Sequence, residues 1–141
     1  MDARRVHWFS RDKLCYPIAE GGLGFKSFDN MCSAFTCKLW WWLRANDSIW
    51  AKFMHQKYVK RVHPNKAAVC RPSLSWRRLV TIREMVERQI RWCLGRGFVD
   101  FWHDRWLGKE TVAERVGVHD PTNMLAAEFV VHNEWNVSKL L

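Results

Sequence analysis

Between Met31 and Tyr58 the apolar residues recur at helical spacing and are interrupted once. Met31, Phe35, Leu39, Trp42 and Leu43 step by four, four, three and one, which puts them on one face of a helix. Asp29 or Asn30 is placed to cap it. Asn46-Asp47-Ser48 then breaks the pattern and offers fresh N-caps. Ile49, Trp50, Phe53, Met54 and Tyr58 make the next face, with the polar residues Lys52, His55, Gln56 and Lys57 between them. The pattern predicts two helices of roughly 16 and 11 residues joined as an αα-hairpin. Phe35, Leu39 and Trp42 are expected to pack against Trp50, Phe53 and Met54.

On either side the punctuation changes. In residues 1–28, Pro17 and Gly21-Gly22-Leu23-Gly24 break any helix, and Phe25 begins a short extended piece. The glycines lack the Lys-Ser/Thr of a phosphate loop and do not fit G-x-G-x-x-G. His63-Pro64-Asn65 closes the hairpin, and residues 61–72 read as a loop. Ser73 or Ser75 opens a third helix whose face is Trp76, Leu79, Val80, Val86 and Ile90. Two apolar runs around Gly95-Arg96-Gly97 predict a β-hairpin over residues 90–102. A weak helical piece follows around Val112–Val116, then a turn at Asp120-Pro121. Trp135-Asn136 precedes what reads as the first turn of a further helix. The expected fold is therefore mainly α: a helical hairpin plus a third helix, with one short β-hairpin near residues 90–102 and an irregular N-terminal stretch. The blocks are residues 1–28, a core over 29–108 and a truncated C-terminal extension over 109–141.

The composition excludes several classes of function. The longest apolar run, Leu39 to Leu43, is far short of the roughly 20 residues of a membrane span, so no membrane partner is expected. No apolar stretch follows Met1-Asp2-Ala3-Arg4-Arg5, so an intracellular chain, nuclear or cytoplasmic, is expected. The five cysteines are odd in number and none are spaced C-x-x-C, which favours reduced thiols over disulfides or a zinc site. No Asp-Asp pair exists to hold two catalytic cations. Asp100, His103 and Asp104 form the only close acid–His cluster. They could hold one divalent ion; alternatively, Asp100 faces solvent and Asp104 caps the following turn. Neither a Gly-x-Ser-x-Gly elbow nor a His-Glu-x-x-His pair is present. The expectation is no catalytic residue, no metal and no cofactor.

The charge is more informative. The chain carries a formal +9, and residues 31–71 hold eight basic groups against Asp47 alone. Such a segment reads either as a nucleic-acid contact or as a solvated face without a partner. The candidate contacts are Lys52, Lys57, Lys60, Arg61, Lys66 and Arg71, with Arg77 and Arg78 as second choices. In Trp40-Trp41-Trp42 the helical step places Trp42 with the core face, Trp40 beside it and Trp41 elsewhere. Trp41 then either packs against the N-terminal stretch or a neighbour, or stacks on a base.

Several short pieces, taken in order, carry a resemblance. They are Trp8, Leu14-Cys15-x-Pro17, Gly21-Gly22-Leu23-Gly24-Phe25, Asn30, Ala34, Lys38-x-Trp40, Trp50-Ala51 and Lys57-Tyr58. Ser73-x-x-Trp76, Trp92-x-x-Gly95-x-Gly97, Phe101-Trp102-x-Asp104-x-Trp106-Leu107-Gly108 and Trp135-Asn136 continue the series. Together they resemble a segment of plant non-LTR (LINE-type) retrotransposon proteins. In that family the segment follows the reverse transcriptase domain and precedes a Cys/His zinc-binding segment and, in many members, a ribonuclease H domain. The resemblance implies a connecting region of a nucleic-acid polymerase. The family's polymerase carboxylates and zinc ligands have no matching positions here, so it implies no catalytic or metal residue. The expected partners are RNA or DNA, bound weakly and without sequence preference, and neighbouring polymerase or ribonuclease H domains. A docking module and an inert retroelement remnant are the alternatives. Trp41 and the basic groups of residues 57–71 on one open face would favour nucleic acid; scattered charges beside a dry indole patch would favour docking.

Overall fold

The computed structural model describes residues 10–45, 47–119, 121–131, 134–136 and 138. Trp8, Asn46, Asp120 and most of the helical turn expected after Asn136 lie outside the described residues. The chain is mainly α-helical, as the periodicity predicts. In order come α1 (Arg11–Leu14), a 3-10 turn (Ile18–Glu20), α2 (Phe28–Ala45) and α3 (Ile49–Met54). A π turn (His55–Val59) continues α3, and a 3-10 turn (Pro64–Lys66) precedes α4 (Leu74–Glu87). Then follow α5 (Val112–Val116), a 3-10 turn (Ala126–Phe129) and the strands β1 (Val130–Val131) and β2 (Glu134–Trp135). The strands pair antiparallel, Val130 opposite Trp135. Among the described residues no helix is long and apolar enough to cross a membrane.

The helix starts follow from side-chain oxygens. Ser48 accepts from the Ala51 amide at 3.2 Å and Ser73 from the Trp76 amide at 3.3 Å, so each serine satisfies an otherwise unpaired N–H of a first turn. Thr111 and Glu114 form a reciprocal capping box on α5, and Gly117 ends that helix in the left-handed conformation. At α2 the expected Asp29 or Asn30 cap is replaced by an earlier start. The helix begins at Phe28, with the Ser27 carbonyl accepting from the Met31 amide.

The hydrophobic interior has two centres. The larger joins Trp40 and Leu43 of α2, Met54 of α3, Tyr58 and Val59 of the π turn, Trp76 and Leu79 of α4, and Ile90. The smaller gathers Val99, Phe101, Val112, Ala126 and Phe129. Trp92 packs against both.

This arrangement corrects the expected helical pairing. α2 packs chiefly on α4 and less on α3. The buried tryptophan is Trp40, with no exposed surface, whereas Trp42 is exposed. Met31 and Phe35, placed in the core by the sequence pattern, are also exposed, and so are Ile49 and Phe53 on α3. The cause is rotation of α2 toward α4. The Trp40 indole N–H donates to Glu87 Oε1 at 2.8 Å, a contact available only on the α4 side. The stripe of Met31, Phe35 and Trp42 is carried round to solvent.

The β-hairpin is also corrected. The Gly95-Arg96-Gly97 turn forms, with the Gly97 amide donating to the Leu94 carbonyl at 2.7 Å and both glycines at positive φ. Its two arms do not pair, and residues 90–102 contain no strand. Instead Asp100 forms a bridge with Leu125, Phe101 N–H donates to Met124, and Trp92 N–H donates to Arg105. The later segment takes the pairing because it lies against the turn itself: the Gly97 carbonyl accepts from the Ala127 amide at 3.1 Å. A Cβ at Gly97 would come within 2.7–2.9 Å of Ala127, so this close approach needs glycine. The antiparallel pairing is instead that of β1 with β2.

Candidate nucleic-acid interface

No carboxylate occurs between Asp47 and Glu84. The structure makes that interval one packed module: the π turn, the Pro64–Lys66 turn and α4 touch one another. Arg83 ties the loop to α4 by donating to the Ala67 carbonyl at 2.8 Å, and the Ser73 amide donates to the Tyr58 hydroxyl at 3.1 Å. Lys52, Lys57, Lys60, Arg61, Lys66, Arg71, Arg77 and Arg78 are all exposed. They do not all point one way. Arg78 lines an open groove of about 380 Å³ with Phe28 and Phe35. Lys66 lines another of about 350 Å³ beside α5. Lys52 pairs with Asp47 at 3.0 Å, both well exposed, an interaction of about 0–1 kcal/mol.

Lys57 is the most firmly placed of these cations. Its Nζ lies 5.4 Å from the Phe53 ring centre and 5.2 Å from that of Tyr58. Tyr58 is in turn stacked on Trp76 at 4.6 Å. The next residue but two is strained. Lys60 has φ 56° and ψ −112°, the first central position of a type II′ turn, where glycine is favoured. The Val62 amide closes that turn on the Val59 carbonyl at 3.2 Å. A side chain held there costs of order 1–3 kcal/mol, part of which glycine would give back as entropy in the unfolded chain. Lys60→Gly is expected to raise stability by about 0.5–1 kcal/mol, seen as a higher denaturation midpoint at unchanged slope.

Trp41 does not join this module. Its indole stacks on Trp92 at 5.6 Å, and the Arg44 guanidinium lies 5.0 Å over the Trp92 ring. Trp41 and the cations of residues 57–71 therefore belong to different packing units, and the single open face expected to favour nucleic acid does not form.

Sequence reasoning missed the chain's buried ion network. Arg44, at the end of α2, pairs with Asp104 Oδ1 and lies with its Nε 2.9 Å from Glu87 Oε1, a Coulombic contact rather than an aligned hydrogen bond. His63 Nε2 lies 3.1 Å from the same Asp104 oxygen. The Asn65 amide donates to His63 Nδ1, so the proton sits on Nε2 and points at Asp104. Asp104 Oδ2 accepts from the Asp100 amide at 2.8 Å. Asp100 is the residue that caps: its Oδ1 accepts from the amides of Trp102 and His103 and from His103 Nδ1. Neither aspartate takes its expected role: Asp104, expected to cap, is buried in the network, and Asp100, expected to face solvent, caps. The four linked side chains are each less than a tenth exposed, which suits a structural tie better than a reacting centre. Among the described residues no three His, Cys, Asp or Glu side chains converge as metal ligands. The sequence signals were a lone arginine in Trp42-Leu43-Arg44 and a glutamate at Glu87, on the Trp76 face of α4.

Burial pushes the Asp104 carboxyl up, but the His63 hydrogen bond and the Arg44 charge outweigh it and hold it below the ordinary aspartate range. A depressed acid contributes stability above its unfolded pKa of about 4 and loses it as pH falls through the folded value. The stability gap between the parent and Asp104→Asn is therefore expected to be constant near neutrality and to narrow below about pH 4. Thermal melts over that range measure it.

No family model and no solved structure matches the chain. It is similar to an Arabidopsis thaliana protein named as a ribonuclease H protein, 28% identical over 128 residues. The match covers 86% of this chain and 21% of that protein. It is also similar to an uncharacterized mitochondrial protein of Arabidopsis thaliana, 27% identical over 112 residues, 77% of this chain and 73% of that one. The chain thus spans about a fifth of the first relative's length and most of the second's.

Proposed function

We propose that this chain corresponds to the connecting segment of a plant non-LTR retrotransposon protein, between its polymerase and its zinc-binding and ribonuclease H regions. Its activity is weak, sequence-nonspecific binding of RNA or DNA, without catalysis of its own. The observation that carries the reading is the module between Asp47 and Glu84, which lacks carboxylates and keeps eight candidate cations exposed. A phosphate backbone is met by such a surplus of exposed positive charge, in which Lys52 is paired with a carboxylate, Asp47. The relative named as a ribonuclease H protein supports the placement within a longer polypeptide.

Fluorescence anisotropy over a salt series tests it. The parent chain is expected to bind with Kd of about 10⁻⁴–10⁻⁶ M near physiological salt. Replacing Lys57, Lys60, Arg61 and Lys66 with Gln is expected to weaken binding and to flatten the slope of log K against log salt by about 0.7–0.9 per lost contact. No salt-dependent binding by the folded parent would overturn the reading.

A second reading, a protein-docking module, is favoured by a different surface. Tyr16, Phe25, Phe28, Met31 and Phe35 are exposed around an open groove of about 1040 Å³ and the smaller one beside α4. Apolar patches of that kind mark interaction sites. Replacing Met31 and Phe35 with Ser would disturb docking and leave nucleic-acid binding unchanged.

A further inference from the structure

Phe53 is one of several exposed phenylalanines, but it lies on a helix face shared with Lys52, Gln56 and Lys57, all exposed, and the residue is 54% exposed. Lys57, one helical turn on, holds its ammonium 5.4 Å from that ring. The ammonium also lies 5.2 Å from the ring of Tyr58, which is stacked on Trp76 and accepts from the Ser73 amide. A half-exposed phenyl ring thus stands with a cation over it, beside a ring of the core.

We propose, on the basis of the nucleic-acid reading above, that Phe53 and Lys57 form a single-strand site in which an unpaired base stacks on the Phe53 ring and its phosphate pairs with Lys57. The chemistry recognised is a base with a free π-face next to a backbone anion. Single strands offer both together. A duplex keeps its bases stacked on one another, and extracting one costs a few kcal/mol. Aromatic stacking is tolerant of base identity, which suits binding without sequence preference. Phe53 is preferred to Trp41, which is 44% exposed but stacks on Trp92 and lies apart from the cations of residues 57–71. Lys57 lies within the π turn His55–Val59, and the strained Lys60 caps that turn; such irregularities gather at functional sites.

The test is anisotropy with the full chain and three labelled probes, oligo-dT and oligo-U of about 12 nucleotides and a duplex of the same length. Phe53→Leu keeps the apolar volume and removes the π-face; far-UV circular dichroism confirms that it folds. Phe53→Leu and Phe53→Ala are expected to weaken single-strand binding about 5- to 100-fold and to leave duplex binding within about twofold, at unchanged salt slope. Lys57→Gln weakens all probes and lowers the slope. The ratio of oligo-U to oligo-dT affinity distinguishes RNA from DNA as the source of the strand. If the parent binds both strand types and Phe53→Leu leaves single-strand binding unchanged, or weakens strand and duplex equally, the stacking site is wrong while the basic interface stands. If the folded parent binds no probe, both fail. Phe53 variants that change only self-association would assign the ring to protein contact and overturn the proposal.

Discussion

Trp40→Ala is expected to lower stability by about 3–5 kcal/mol, the range for emptying a large aromatic site in a packed core. Trp40 has no exposed surface, and its indole nitrogen serves Glu87. Alanine therefore leaves a cavity and also removes a donor from a buried carboxylate. A domain of this size has about 5–15 kcal/mol in all, so the variant should be largely unfolded in mild denaturant. Phe35→Ala is the control. Its ring is 58% exposed, and the expected loss is below about 1 kcal/mol. Equal midpoints for the two variants in chemical denaturation would show that the wrong face of α2 has been placed in the core.

Arg44→Met should be as damaging for a different reason. Arg44 is the one cation between Glu87 and Asp104, and removing one partner of a buried ion network costs about 3–5 kcal/mol. The carboxylates also accept from Trp40 Nε1, His63 Nε2 and the Asp100 amide. Replacing all three charged residues with hydrocarbons would strand those donors. The triple variant Arg44→Met, Glu87→Gln, Asp104→Asn keeps carbonyl acceptors and removes every charge. It is expected to recover more than half of what Arg44→Met loses, measured by denaturation at pH 7. A triple variant no better than Arg44→Met would mean that the guanidinium holds the two cores together mainly by packing on Trp92.

Helical content and the starts of α3, α4 and α5 were legible because they are local, whereas α2 starts before its expected Asp29 or Asn30 cap. Ser48 and Ser73 cap where their types and positions indicate, and α5 falls on Val112–Val116. Which helix face is buried was not local. α2 carries one stripe through Trp40 and Leu43 and another through Met31, Phe35 and Trp42. The first is buried because α4, far along the chain, packs on it, and there Glu87 accepts from the Trp40 indole N–H. The hairpin failed for a similar reason: a Gly-x-Gly turn specifies a reversal, but Leu125 and Ala127 took the pairing partners. The basic residues were legible by type alone, since charge keeps them at the surface. That Phe53 stands among them, and that Trp41 stacks on Trp92 away from them, depended on tertiary packing.

The most direct measurement is an amide chemical-shift titration of the folded chain with an oligo-dT single strand. The account predicts that the shifts concentrate on residues 52–62 and on Lys66, Arg71, Arg77 and Arg78, and fade as salt rises. The amides of Met31 and Phe35 stay in place. Shifts confined to Tyr16 and residues 25–35, or none at about 1 mM strand, would contradict it, because nonspecific binding of this kind has a Kd of about 10⁻⁴ M or tighter.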